Sequence, residues 1–364
     1  MKFKKIFKYC SAFIIAAFIY LFVSQNGVSI AVPDVVMKVQ INSPVMEVNG
    51  EKREVDPGRT TAPLVINGRT MVPVRTVTET FGGTAEWNEK EGTVTLQLDG
   101  DTVKLTPGST EAGCNGKKHT LDAAPAVIEG RTMLPIRFIA ESFNFGVAWD
   151  RAESSVYIIH DTLTEDEYNA LTAVLPPYSG NPYTVVNENK PYFKSYEIIK
   201  PSFEYYSKLD SLKRCNVCQA SASEDLMPSE KRGNISSVKP TGWVNVKYDN
   251  ISGGYLYNRC HLLGYQLTGE NVNVRNLITG TRYLNVDGML PFENKVAEYI
   301  KTTKNHVMYR VTPVFVKNNL VADGVLMEAY SVEDNGEGIT FCVYCYNVQP
   351  GIIIDYGSGR SRAA

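Results

Sequence analysis

The run Pro63-Leu-Val-Ile-Asn-Gly-Arg-Thr-Met-Val-Pro-Val-Arg75 returns as Pro125-Ala-Val-Ile-Glu-Gly-Arg-Thr-Met-Leu-Pro-Ile-Arg137, and no other feature limits the fold as strongly. Residues 63–96 and 125–158 are the two copies, and 14 of their 34 positions are identical, Phe81/Phe143 and Trp87/Trp149 among them. Inside each copy the pattern predicts a short strand, a tight Asn67-Gly68 or Glu129-Gly130 turn, and a second strand ending in proline. A short helix follows over 74–81 and 136–143, then a tryptophan-bearing strand and a last strand such as that over 93–98. Two copies are too few for a solenoid, so they predict one compact duplicated α+β domain. Arg69/Arg131 and Arg75/Arg137 recur in both copies. They suit either an anionic polymer or the pinning of turn and helix by hydrogen bonds.

Beyond residue 160 the character changes. The acidic stretch Thr164-Glu-Asp-Glu-Tyr168 predicts one short helix in a linker over 161–175. Leu175-Pro-Pro-Tyr-Ser-Gly-Asn-Pro-Tyr183 then predicts an extended lead into the next domain. The pattern onward predicts helices over 202–212 and 292–303. Strands are expected over 243–248, 307–316 and 338–348, with a strand or extended arm over 255–263. Helix and strand mixed without βαβ regularity predict an α+β fold with an antiparallel sheet.

That region holds Asn258-Arg259-Cys260-His261, followed by Asn276, Asn285 and Glu293. An imidazole, a guanidinium, two amides and a carboxylate this close can activate a water, hold one hard cation and neutralise a phosphate. Histidine suits the first task, because its ordinary pKa of roughly 6.5 leaves it neutral near pH 7. Each residue also has a plain structural use. His261 serves equally as a satisfied core histidine, Asn276 and Asn285 as turn or cap residues, and Glu293 as a carboxylate at a helix N-terminus.

The constellation resembles the DNA/RNA non-specific endonucleases, the ββα-metal or His-Me finger nucleases, and in particular their secreted Gram-positive branch. Their motif reads Asp-Arg-Gly-His; here Asn258 and Cys260 stand in the first and third places. The likeness spans residues 176–358. It implies a ββα-metal nuclease domain with a central antiparallel sheet that hydrolyses DNA and RNA phosphodiesters without sequence specificity. It further implies His261 as general base, Asn285 as ligand of Mg²⁺ (with Mn²⁺ able to substitute), and Glu293 holding a metal-bound water. By the same resemblance Asn276 orients the His261 region or the metal waters, and Arg259 meets a phosphate or carboxylate. Lys231, Arg232 and Arg282 are the substrate-binding positions. The two departures motivate an alternative, a decayed nuclease fold that only binds nucleic acid or wall polymer.

The duplicated half, residues 37–160, resembles the amino-terminal stalk domain of copper amine oxidases. Copper is not implied, since before His160 at its end His119 and Cys114 are the plausible soft ligands, too few for a site. This domain is expected to tether the chain to the wall through a cell-wall polymer or to space it from the surface, and no immunity partner is readable. The net charge of −2 excludes a global positive field for nucleic acid, so any binding groove is a local patch. Residues 1–31 read as an export signal: Lys2, Lys4, Lys5 and Lys8 precede an apolar core, and Ser29-Ile30-Ala31 offers a cleavage site. Uncut, the segment would be a signal anchor; either way the chain is secreted or surface-associated. Cys10 leaves with the signal, and the remaining Cys114, Cys215, Cys218, Cys260, Cys342 and Cys345 leave disulfides, a zinc site at the two C-x-x-C pairs, or simple burial open.

Overall fold

The computed structural model describes residues 35–160 and 165–364; the expected export signal lies outside the described residues. The repeat hairpins form as expected. Leu64–Ile66 turns into Arg69–Pro73, and Ala126–Ile128 into Arg131–Pro135. Asn67, Gly68, Glu129 and Gly130 all sit at positive φ, the conformation a two-residue turn between twisted strands demands. The hairpins meet through Met133↔Pro73, Leu134↔Val72 and Pro135↔Met71, a pairing that exchanges the copies about a local two-fold. The helices Val74–Thr80 and Ile136–Phe143 follow, and bury Val77, Phe81, Ile139 and Phe143 in one shared core.

The duplicated unit is larger than its identities indicate, and the copies are interlaced. Three strands before the first hairpin, beginning with Val35–Gln40, join the last strand of the second copy, Ser155–His160. Three strands before the second hairpin, beginning with Asp101–Leu105, join the last strand of the first copy, Thr93–Leu98. Each copy therefore completes a five-stranded sheet around the shared core.

The second half is built on a six-stranded antiparallel sheet. Its order is Tyr183–Val185, Thr340–Tyr346, Gly324–Ser331, Val307–Val314, Cys218–Ala222, Phe203–Tyr206. Val307–Val314 is buried along its whole length, as a central strand covered on both faces must be. Helix Leu290–Thr303 covers one face with Phe292, Val296, Ala297 and Ile300. Two expectations are corrected and one strand is added. Residues 202–212 are not a helix: Phe203 and Tyr205 are buried between half-buried Glu204 and Tyr206, a period of two that suits a strand. Residues 243–248 make only a single bridge, Lys247↔Tyr255, instead of a strand. The strand Gly324–Ser331 has no counterpart in the sequence reading.

The open cysteine question also closes. All six described cysteines are free thiols. Cys342 and Cys345 lie in different core clusters on opposite faces of their strand, so the two C-x-x-C pairs do not converge. They act as small buried hydrophobes.

The halves share an apolar seam in which Val36, Ala148 and Ile159 pack against Ile199, Phe203, Tyr205 and Met308. His160 sits beside it, among the rings of Phe81, Phe145 and Tyr205.

Candidate active site

Strand Tyr257–His261 pairs antiparallel with Leu277–Thr281, from Tyr257↔Thr281 to His261↔Leu277. A π-helical turn, Leu284–Met289, then runs straight into helix Leu290–Thr303. These two strands and one helix wall a cleft of about 570 Å³ lined by Asn258, Arg259, His261, Arg282, Asn285 and Glu293, with Arg232 arriving from a distant loop. Lys231 is exposed and does not line it.

His261 is 6% exposed and held by both ring nitrogens. Its Nε2 lies 3.0 Å from the Asn271 carbonyl oxygen, and its Nδ1 lies 3.0 Å from an Arg232 guanidinium nitrogen. Arginine can only donate, so Nδ1 carries the lone pair and Nε2 carries the proton that the Asn271 carbonyl accepts. Burial, with the Arg232 charge adding to it, lowers the imidazole pKa to about 4. The ring is thus a neutral base at pH 7 with its basic atom defined. Asn271 contributes through its backbone, which carries no side-chain signature in sequence.

Asn276 stands apart from the cleft. It is fully buried; its Oδ1 accepts from Leu263 N at 2.8 Å and its Nδ2 donates to Leu263 O at 3.0 Å. It therefore clamps the backbone two residues after His261. Asn276→Ala strands a buried N–H and a buried C=O, and is expected to cost about 3 kcal/mol, read as a lowered urea midpoint. An unchanged midpoint would refute the clamp.

Arg259 stacks over Trp243, 4.2 Å from the ring centroid, and donates to the carbonyls of Ser236 (3.0 Å) and Val238. It braces that loop while facing the cleft; no carboxylate pairs with it among the described residues. Arg282 likewise has no carboxylate partner there, and its backbone N–H donates to Leu256 O at 2.9 Å. Glu293 lies against Gly264, where an added Cβ would come within 2.7 Å of its Oε2, so the glycine is what lets the carboxylate approach. Desolvation pushes this carboxyl up to about 7, with Gln266 and Arg232 opposing. Gly264, Asn271 and Trp243 are the contributors that sequence reasoning missed.

The two departures from the motif have different consequences. Cys260 points into the core, and a Cβ at Gly280 on the partner strand would fall 2.3 Å from its Sγ. Gly280 thus makes the room that Cys260 fills, and burial pushes the thiol up, away from reactivity. Asn258 leaves its Nδ2 buried without a hydrogen-bond partner.

Two buried neutral histidines make acid sensitivity a further expectation. His160 and His261 are both lowered to about 4, each chiefly by burial. At these two side chains the unfolded chain binds protons between about pH 6.5 and pH 4 that the folded one refuses, so their contribution to stability falls as pH falls through that window, while the raised Glu293 carboxyl acts in the opposite sense between about pH 7 and pH 4.5. The loss is on the order of 2–3 kcal/mol per histidine. Urea midpoints at pH 7 and pH 4.5 measure it, and His160→Phe should flatten the dependence; an equal slope in that variant would dismiss His160 as a cause.

Comparison with known proteins finds two family models that match. Residues 53–158 match the copper amine oxidase N-terminal domain, and residues 194–333 match the DNA/RNA non-specific endonuclease. Among solved structures the chain is similar to NucA from Streptococcus agalactiae. It is 23% identical to the metal-free form and 22% to the magnesium-bound form, with a TM-score of 0.47 for each, over 55% of this chain and 97% and 98% of theirs. It is also similar to Sda1 nuclease with bound zinc ion, at 28% identity and a TM-score of 0.41, over 50% of this chain and 97% of that one.

Proposed function

We propose that this chain, which carries a DNA/RNA non-specific endonuclease domain and a copper amine oxidase N-terminal domain, is an exported, metal-dependent endonuclease that hydrolyses DNA and RNA without sequence preference. The observation that carries the reading is the neutral His261, its Nδ1 lone pair turned toward a cleft that also holds three arginines. A bound phosphate draws Arg232 away from Nδ1. The freed nitrogen takes a proton from water as that water attacks phosphorus, while the Asn271 carbonyl holds the ring's orientation. Arg232 and Arg282 neutralise the phosphoryl oxygens.

Asn285 and Glu293 fit a hard divalent cation. They are oxygen donors on one helical stretch facing one cleft, and among the described residues no denser cluster of His, Cys, Asp and Glu exists. That sparse set suits Mg²⁺, or Mn²⁺ in its place, which keeps most of its waters. When bound, the ion supplies positive charge to the phosphorane and the leaving 3′ oxygen.

Export rests on the amino-terminal segment, and among the described residues no helix is long and apolar enough to cross a membrane. The stalk half, residues 37–160, would hold the nuclease, residues 176–358, at the wall through a polymer ligand. The orphaned Asn258 amide favours a second reading, a decayed nuclease that binds without cutting.

Plasmid, single-stranded DNA and RNA incubated with the purified protein and magnesium separate the two. Smears from all three substrates are expected, weakening as salt rises. Retention on a gel without cleavage would establish the decayed reading, and a sharp ladder at one sequence would remove the claim of non-specificity.

A further inference from the structure

Most positions shared by the two stalk copies are core or turn residues, but six pairs are kept although at least one member faces solvent, Glu79/Glu141 and Glu91/Glu153 among them. Trp87 and Trp149 are 51% and 46% exposed, and Val65 and Val127 are 52% and 57% exposed. Arg75/Arg137 and Arg69/Arg131 are the remaining two pairs. Packing does not explain a retained indole half in water. The interlaced fold does bring these positions together. Trp87 and Arg75 of the first copy meet Val127 and Arg131 of the second around one cleft of about 240 Å³, with Asp56 at its side.

The chemistry of the cleft narrows its ligand. Its charges are already balanced: Arg131 donates to Asp56 from Nε at 2.7 Å and from a terminal nitrogen at 3.1 Å, and Arg75 lies 3.6 Å from Glu79. A polyanion would have to break those pairs, so the cleft is not built for one. What it presents is a flat indole, an aliphatic wall, and planar donors and acceptors held at fixed angles by their own pairing. The volume lies below the roughly 300–1,000 Å³ of sites that engulf a drug-sized molecule, so it admits one ring of a chain that continues past it. Trp87 lies on Thr84–Asn88, the edge strand of its sheet, which leaves the way open for such a chain.

We propose that the Trp87 cleft binds one sugar ring of an uncharged glycan chain, the apolar face of the ring on the indole and its hydroxyls on Asp56, Arg75 and Arg131. The local two-fold relates a second platform to it, with Trp149, Val65, Arg137 and Arg69 at the corresponding positions. Arg69 has its own partner in Asp122 at 3.5 Å, as Arg131 has in Asp56. Two weak platforms on one chain bind a repetitive polymer with an avidity that neither has alone. This deepens the wall-attachment reading of the stalk and is independent of the nuclease reading.

The test is co-sedimentation of the full chain with insoluble peptidoglycan sacculi stripped of anionic polymer, beside unstripped walls. The wild type is expected to pellet with both, with little dependence on salt. Trp87→Ala should weaken binding to stripped sacculi about tenfold or more, and the Trp87→Ala/Trp149→Ala pair should abolish it. The urea midpoint of each variant should stay close to that of the wild type, which reports that the chain has folded whether or not it cuts plasmid. Val127→Glu, on the facing wall, should reproduce the loss if Trp87→Ala is poorly soluble. Wild-type binding by both Trp87→Ala and Val127→Glu would overturn the cleft while leaving wall attachment standing. Failure of the wild type to pellet with any wall would sink attachment itself. Binding only to unstripped walls and lost at high salt would mean a polyanion site. Release by a proline-rich peptide and not by soluble glycan fragments would mean a peptide groove; either result overturns the proposal.

Discussion

His261→Ala is expected to lower the rate of plasmid cleavage by about 10² to 10⁴ while nucleic acid is still bound. The basic atom is Nδ1, because Arg232 must donate to it and the Asn271 carbonyl takes the other proton. Removing the ring removes the base and leaves Arg232, Arg259 and Arg282 to meet phosphates. Since burial keeps the imidazole neutral down to about pH 4, its titration places no limb in the rate profile between pH 6 and pH 9. Added imidazole should restore part of the turnover in His261→Ala. His306 is the control: it is paired with Glu333 at 2.7 Å, away from the cleft. A dead His306→Ala beside an active His261→Ala would show the site to be misplaced.

Chelation is expected to take cleavage to background, and magnesium to restore it. Asn285→Ala should lower turnover and raise the magnesium needed for half-maximal rate. Glu293→Gln should raise that requirement by about 10- to 100-fold, the usual effect of losing a group that orients bound metal waters. Gly264→Ala is a test without a change of donor, because the added methyl meets the Glu293 carboxylate and must displace it. Full activity in chelator would end the single-ion mechanism.

What could be read from the chain follows from how local its cause is. The repeat hairpins and helices were legible because turn chemistry, a closing proline and a short apolar period are written in consecutive residues. The place of the strand Val35–Gln40 was not, since one of its two neighbours, Ser155–His160, lies more than a hundred positions away. The stretch after Ser202 was misread as a helix because Phe203 and Tyr206, three apart, fit a helical stripe, while the buried pair is Phe203 and Tyr205, two apart on a strand face. In the site, His261, Asn285, Glu293, Arg232, Arg259 and Arg282 do share one cleft, whereas Asn276 works one layer below it. The role of Asn271 could not be read from residue type, because a main-chain oxygen performs it. Counting cysteines left bridges, a zinc site and burial open; the fold keeps all six described cysteines as free thiols, five of them buried.

The pairing of Val35 with His160 also decides how the stalk behaves as a mechanical part. Residues opposite one another in an antiparallel ladder stand about 5 Å apart, so the chain enters and leaves this domain at nearly the same point. However many residues it contains, the domain adds almost no reach between whatever precedes residue 35 and the nuclease that follows. Tension applied through those two ends falls first on the terminal rung, and then on Val36–Ile159 and Met37–Ile158 in turn. Such a ladder unzips one rung at a time, at far lower force than one sheared along its length. Val36 and Ile159 also line the seam between the halves, so opening the second rung takes away their packing on Ile199, Phe203, Tyr205 and Met308.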